Sequence, residues 1–153
     1  MAFTDDWLAD AARRDFTINA LSLSPDGTLF DPFDGQADLA AGRVRFIGDP
    51  AQRLREDRLR ALRFFRFHAH YGRGEPDPAG LAACRAIAPE LPALSGERLR
   101  QELLRLLDAP SAATVWALMR DHGILASLLP SASDTGRLAA VIALENALGF
   151  QGE

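Results

Sequence analysis

Apolar and polar positions follow two periods along the chain, and the change falls near residue 50. Before it, apolar runs are short and interrupted by Pro, Gly and Asp. Ala20 to Leu23 and Thr28 to Asp31 read as two strands joined at Pro25-Asp26-Gly27, a hairpin signal. Asp31-Pro32-Phe33-Asp34-Gly35 forces a turn, Gln36 to Ala41 gives a helical turn or two ending at Gly42, and Arg43 to Ile47 predicts a third strand. Ahead of these, Asp6 to Arg13 predicts a short helix with Trp7, Leu8 and Ala11 as its apolar side.

From Ala51 onward the spacing is helical. A helix beginning at Ala51 to Leu54 leads into a long one over Glu56 to Tyr71, with Leu59, Leu62, Phe65 and Ala69 on one face. Asp77 and Pro78 sit as cap and first-turn proline of a helix to about Ile87, and Pro89 and Pro92 bracket a connector. Ser95 opens a helix to about Asp108 with Leu99, Leu103, Leu106 and Leu107 as its stripe. Ser111 to Asp121, Ile124 to Leu129 and Asp134 to Leu148 complete the set, with Pro130-Ser131-Ala132-Ser133 as the one linker candidate. The fold class expected is α+β, mostly α, with a β-rich first third too small to stand alone as a sheet.

The long helix also carries chemistry. Asp57 and Arg60 stand three residues apart, so both side chains can lean towards one planar ligand. Cytosine and adenine each present an exocyclic amino donor beside a ring-nitrogen acceptor, and carboxylate plus guanidinium is the complementary pair. Such a site accepts C and A and disfavours G and U. An exposed helix surface carries the same acid–Arg pair with no function, contributing about 0.2–0.5 kcal/mol. A second cluster, Arg13-Arg14-Asp15-Phe16-Thr17-Ile18-Asn19-Ala20, sets guanidinium groups suited to phosphate beside an Asp and an Asn suited to sugar hydroxyls. A polar loop pinned by Phe16 and Ile18 would look the same.

Composition narrows the class. With 153 residues, 48% apolar and 25% charged, the chain can bury one real core and is ordinary for a globular protein. It has neither an apolar run of membrane-spanning length nor an export pattern at its start, so a cytoplasmic location is expected. Cys84 is the single cysteine, excluding an internal disulfide and a thiolate cluster. The net charge of −4 argues against a generally basic nucleic-acid binder, but residues 43–73 hold nine arginines against three acids. His68, His70 and His122 are not at ligand spacing with any carboxylate cluster, and Trp7 and Trp116 read as core.

Four motifs in order, Arg13-Arg14-Asp15 with Asn19, Asp34-Gly35 with Asp38-Leu39, Arg43 to Pro50, and Glu56-Asp57 with Arg60, resemble the class II tRNA nucleotidyltransferases (CCA-adding enzymes) and the bacterial poly(A) polymerases. The likeness runs from about Asp5 to Leu107. It implies that Arg13, Arg14, Asp15 and Asn19 hold the triphosphate and ribose of CTP or ATP, and that Glu56, Asp57 and Arg60 template the base. It makes Asp34, Gly35 and Asp38 a flexible element between domains, and Ser95, Glu97 and Arg98 a steadying motif of the neck helices. The domains it implies are the C-terminal part of a nucleotidyltransferase palm at 1–49, a helical neck at 50–110 and the beginning of a helical body at 111–153. The partner it implies is RNA, the tRNA 3′ end.

The family sets a Gly-rich loop and an Asp-x-Asp pair for Mg2+ ahead of the double arginine, and twelve residues leave no room for either. Asp5-Asp6 is adjacent rather than alternating and is not assigned as a metal ligand, so no catalytic or metal residue is assigned in this chain. The expectation is a nucleotide-selecting portion, inactive alone and catalytic only with a missing N-terminal head segment supplied by a longer chain or a separate polypeptide; a homo-oligomer is a further partner considered. The alternatives are a non-catalytic nucleotide- or RNA-binding module and a decayed fragment.

Overall fold

The computed structural model describes residues 6–130 and 136–148. Its first helix, α1 (Trp7–Arg13), starts where Asp6 accepts a hydrogen bond from the Ala9 N–H at 3.0 Å. Of the expected apolar side only Ala11 is buried; Trp7 and Leu8 are 51% and 53% exposed, and Trp7 meets the Phe30 ring edge-on. The cluster beneath α1, Ala11, Ala20 and Ile47 with Phe30 and Phe33, is too small to cover them.

The hairpin forms as two-residue strands, β1 (Ser22–Leu23) antiparallel to β2 (Leu29–Phe30), with Ser22 opposite Phe30. The third strand expected at 43–47 does not form. Val44 and Phe46 point inward with Arg43 outward, as in a strand, but the pairing stops at one antiparallel bridge, Phe16 to Phe46. The partner backbone turns into a 3₁₀ helix at Thr17–Asn19, which ends the ladder.

Helix α2 (Gly35–Ala41) begins where Asp31 accepts from the Gly35 and Gln36 N–H groups at 2.7 and 3.0 Å. A Cβ on Gly35 would lie 2.3 Å from the Thr17 carbonyl oxygen, so α2 rests backbone to backbone on the 3₁₀ turn.

Helix α3 (Pro50–Glu56) is capped by Asp49, and α4 (Arg60–Tyr71) follows after a break. One continuous helix over 56–71 was expected. Instead Asp57 is extended, with φ −150° and ψ 109°, because its carboxylate accepts the Leu59 N–H at 3.0 Å and restarts the chain. The remaining elements are α5 (Pro78–Ile87), capped by Asp77, a 3₁₀ stretch at Ala88–Ala93, α6 (Gly96–Leu107), capped by Ser95, α7 (Ala112–Asp121), α8 (Ile124–Leu128) and α9 (Gly136–Leu148). The expected start of the last helix at Asp134, and most of the linker candidate, lie outside the described residues.

Helix α4 is the centre of the molecule and packs against α3, α5, α6 and α7. The face expected from spacing, Leu59, Leu62, Phe65 and Ala69, is buried, and so are Ala61, Phe64 and His68. Phe16 and Phe46 reach it from the first third, with Phe46 stacked on Phe64 at 5.5 Å. Each buried Phe contributes about 1.5–3 kcal/mol. Trp116 lies in the core as expected, unlike Trp7; Cys84 is buried there too, and burial pushes its thiol above the ordinary range. Among the described residues no helix is long and apolar enough to cross a membrane.

Candidate functional site

The chain from the end of α1 to the 3₁₀ turn, the α3–α4 corner and the first turn of α6 enclose a concave pocket of about 370 Å³. Arg13, Arg14, Asp15, Asn19, Asp57, Leu59, Arg60, Arg63 and Arg98 line it. Five guanidinium groups against two carboxylates make the lining a receptor for an anion.

At one end stand the two adjacent arginines. Asp10, one helical turn earlier, takes Arg13 at 2.7 Å and Arg14 at 3.0 Å, and Arg14 Nη1 donates to the Asn19 carbonyl at 3.1 Å. Hydrogen bonds from Arg14 and Arg13 hold the Asp10 carboxyl below the usual carboxylate range. Arg53, from α3, donates through Nη2 to the carbonyls of Arg13, at 2.8 Å, and Arg14. The loop is thereby fastened by its backbone, leaving its side chains directed by Asp10.

The floor is Asp15, 6% exposed. One oxygen accepts from Asn19 Nδ2 at 2.5 Å and the other from Arg63 Nε. Burial works against the charge, but these bonds outweigh it and hold the carboxyl below its ordinary value. Asn19 in turn accepts the Phe16 N–H at 3.2 Å, which fixes its amide.

At the other end, Asp57 and Arg60 face one pocket, but through a route the helical spacing did not describe. Asp57 lies in the break before α4 and gives its second oxygen to Arg98 Nη2 at 2.8 Å. Arg60 donates through Nη1 to Glu56 at 2.6 Å and to the Arg53 carbonyl at 3.0 Å, leaving Nε and Nη2 without a partner among the described residues. Glu56 is not part of the lining. It stands behind Arg60, held below its usual range by that bond, and also takes Arg53 Nη1 at 2.8 Å.

The neck motif divides. Ser95 caps α6 and Glu97 stays on its exposed first turn, whereas the Arg98 side chain enters the pocket. The Asp34, Gly35 and Asp38 motif is outside it. Asp38 is fully buried, accepting from Thr17 Oγ1 at 2.6 Å, Arg43 at 2.6 Å and Arg45 at 3.0 Å. Burial disfavours its charge, and these partners more than compensate, lowering its pKa. Thr17 follows two residues after Asp15, so α2 supports the loop from beneath.

Three contributors were missed in the sequence: Asp10, Arg53 and Arg63. Asp10 had a signal, since it precedes Arg13 and Arg14 by three and four residues on a predicted helix. Arg53 had none, because its ligands are backbone carbonyls forty residues away. The basic band at 43–73 is also largely compensated, often by acids outside it, Arg58 by Glu90 at 2.6 Å and Arg66 by Glu102 at 2.7 Å for example.

Among the described residues no group of three or more His, Cys, Asp or Glu side chains could hold a metal ion. Both pocket carboxylates face arginines, a set that does not fit Mg2+.

Two family models match the chain. Residues 1–45 match the poly A polymerase head domain, and residues 75–135 match a probable RNA and SrmB-binding site of polymerase A. The chain is 46% identical over 127 residues to the mouse mitochondrial CCA tRNA nucleotidyltransferase 1, covering 80% of this chain and 29% of that protein. It is 43% identical over 125 residues to poly(A) polymerase I of Haemophilus influenzae, covering 81% and 27%. In structure it is similar to a Bacillus stearothermophilus CCA-adding enzyme in complex with CTP, with a TM-score of 0.80 and 33% identity over 93% of this chain and 36% of that one. The chain therefore spans about a third of the length of these relatives. Relatives of both kinds match about four fifths of the chain, and it belongs to the family of class II tRNA nucleotidyltransferases and bacterial poly(A) polymerases.

Proposed function

We propose that the pocket binds CTP or ATP and selects the base, making this chain the nucleotide-selecting portion of an enzyme that adds C and A to the 3′ ends of tRNA. The observation that carries the reading is the convergence, in one concave site, of the double-arginine loop and the Asp57–Arg60 corner, more than forty residues apart. Arg13 and Arg14 take the triphosphate, exchanging Asp10 for phosphate oxygens. Asp15 and Asn19 meet the ribose hydroxyls. Asp57 accepts from the exocyclic amino group of C or A while Arg60 donates to the ring nitrogen, with Glu56 setting the direction of Arg60. Asp34, Gly35 and Asp38 belong to the flexible element between domains, and Ser95, Glu97 and Arg98 brace the neck, Arg98 also facing the base. The family's reaction uses Mg2+ for in-line transfer; the described residues bind, orient and select, and no transfer step is assigned to them.

Calorimetry on the 153-residue chain with CTP, ATP, GTP and UTP tests this. CTP and ATP should bind at least about tenfold more tightly than the other two, the scale of one charge-assisted hydrogen bond. Arg60→Ala should bring the four affinities together while inorganic triphosphate still competes. Equal binding of all four by the unaltered chain, or no binding, overturns the proposal.

A further inference from the structure

Arg60, Arg63 and Arg66 recur every third residue on α4; Arg60 pairs with Glu56, while Arg63 and Arg66 share Glu102. Arg60 serves the base end. Arg63 stands between two buried carboxylates, donating through Nε to Asp15 and lying with Nη1 3.8 Å from Glu102 Oε1. Glu102, on α6, is 4% exposed and does not reach the pocket. Its other oxygen accepts from Arg66 Nε at 2.7 Å, and the Arg66 guanidinium lies 4.6 Å from the Phe67 ring centre. Arg66 and Phe67 thus fix Glu102, Glu102 faces Arg63, and Arg63 faces the pocket floor.

This chain of charges acts on what Asp15 can offer a ligand. Each Asp15 oxygen has one protein donor, leaving further lone pairs whose direction the two donors set. A guanidinium divided between two carboxylates neutralises the floor without covering it. Released from Glu102, the same guanidinium would turn wholly onto Asp15 and occupy the acceptor sites left for a ligand. A lysine ammonium has no fork with which to span both.

We propose that Arg63, held by Glu102, positions the Asp15 carboxylate for a ribose hydroxyl, so that ion pairs between α4 and α6 set the sugar selectivity of the pocket. The proposal rests on the pocket taking a nucleoside triphosphate. It separates sugar reading from base reading: Glu102 touches neither Asp57 nor Arg60, so weakening it alters one selectivity and spares the other.

The test measures CTP, 2′-deoxyCTP and UTP by calorimetry on the unaltered chain, Glu102→Gln and Arg63→Lys, with thermal unfolding of each. The unaltered chain should prefer CTP to 2′-deoxyCTP by about tenfold, the worth of one hydrogen bond to a charged acceptor. Glu102→Gln, which keeps an acceptor for Arg66, should bring that preference close to unity and leave the CTP-to-UTP ratio as it was. Arg63→Lys should also lose the sugar preference. If Glu102→Gln lowers the unfolding temperature but keeps the sugar preference, the ion pairs only hold the helices together and the inference is overturned while the nucleotide reading stands. Equal binding of CTP and 2′-deoxyCTP by the unaltered chain overturns it too, and absence of any CTP binding removes both.

Discussion

Asp57→Asn separates the two jobs that this side chain does. One oxygen accepts the Leu59 N–H at 3.0 Å and shapes the α3–α4 corner; the other meets Arg98 at 2.8 Å and faces the pocket. Asparagine keeps an oxygen for the corner and replaces the second oxygen with an amide donor. The structural loss is the ion pair, whose side chains are 35% and 48% exposed, and a pair so solvated contributes about 0–1 kcal/mol. Unfolding temperature should therefore fall by no more than about 2–4 °C. The ligand's loss is larger. An exocyclic amino group donating to a carboxylate is worth about 1.5–3 kcal/mol, so CTP and ATP should weaken about 10- to 150-fold. UTP and GTP present a carbonyl oxygen at that position, to which the new amide can donate, and should weaken less or gain. Calorimetry with the four nucleotides reads the change as a ratio. A CTP-to-UTP ratio equal to that of the unaltered chain would refute base reading by Asp57, whatever happened to the absolute affinities.

Other outcomes follow from the packing around the site. Gly35→Ala should destabilise by about 1–3 kcal/mol, because its Cβ would meet the Thr17 carbonyl oxygen at 2.3 Å and the Leu21 side chain at 3.2 Å; an unchanged unfolding temperature would contradict this. Acid should weaken the fold in two stages. Burial holds the His68 pKa below its ordinary 6.5 and its Nδ1 has no partner among the described residues, so the unfolded chain takes up the proton first and stability declines as pH drops below about 6.5. Asp15 and Asp38 are held below their ordinary 3.8, so the stability of their ion pairs is complete above that value and is lost beneath it. Unfolding temperatures measured from pH 8 to pH 3 should decline in that order, and a flat profile from pH 7 to pH 5 would contradict the role of His68.

Helix caps made much of the fold legible. Asp77 before Pro78 and Ser95 before α6 each accept the backbone N–H their residue type is suited to, and those helices lie where the spacing puts them. The break at Asp57 was hidden because residues 56–71 hold no Pro or Gly and keep an unbroken helical period. Only the carboxylate's bond to a backbone N–H two residues on distinguishes a cap from a helical Asp. At 43–47 the alternation of a strand was present without a partner able to continue the ladder, a tertiary fact that periodicity does not carry. The pocket lining was legible where it is local to a motif, as at Arg13, Arg14, Asp57 and Arg60. It was obscure where long-range geometry decides, as with Arg98, whose side chain crosses from α6 to Asp57, forty-one residues away.

Helix α3 is seven residues long, yet it governs both ends of the pocket: Arg53 suspends the double-arginine loop by its carbonyls, and Glu56 aims Arg60. The two ends are thus mounted on one short rod. On the proposed reading this makes the cleft a gauge of length as well as of hydrogen-bonding edge, and a nucleoside monophosphate with the right base should bind less tightly than the triphosphate.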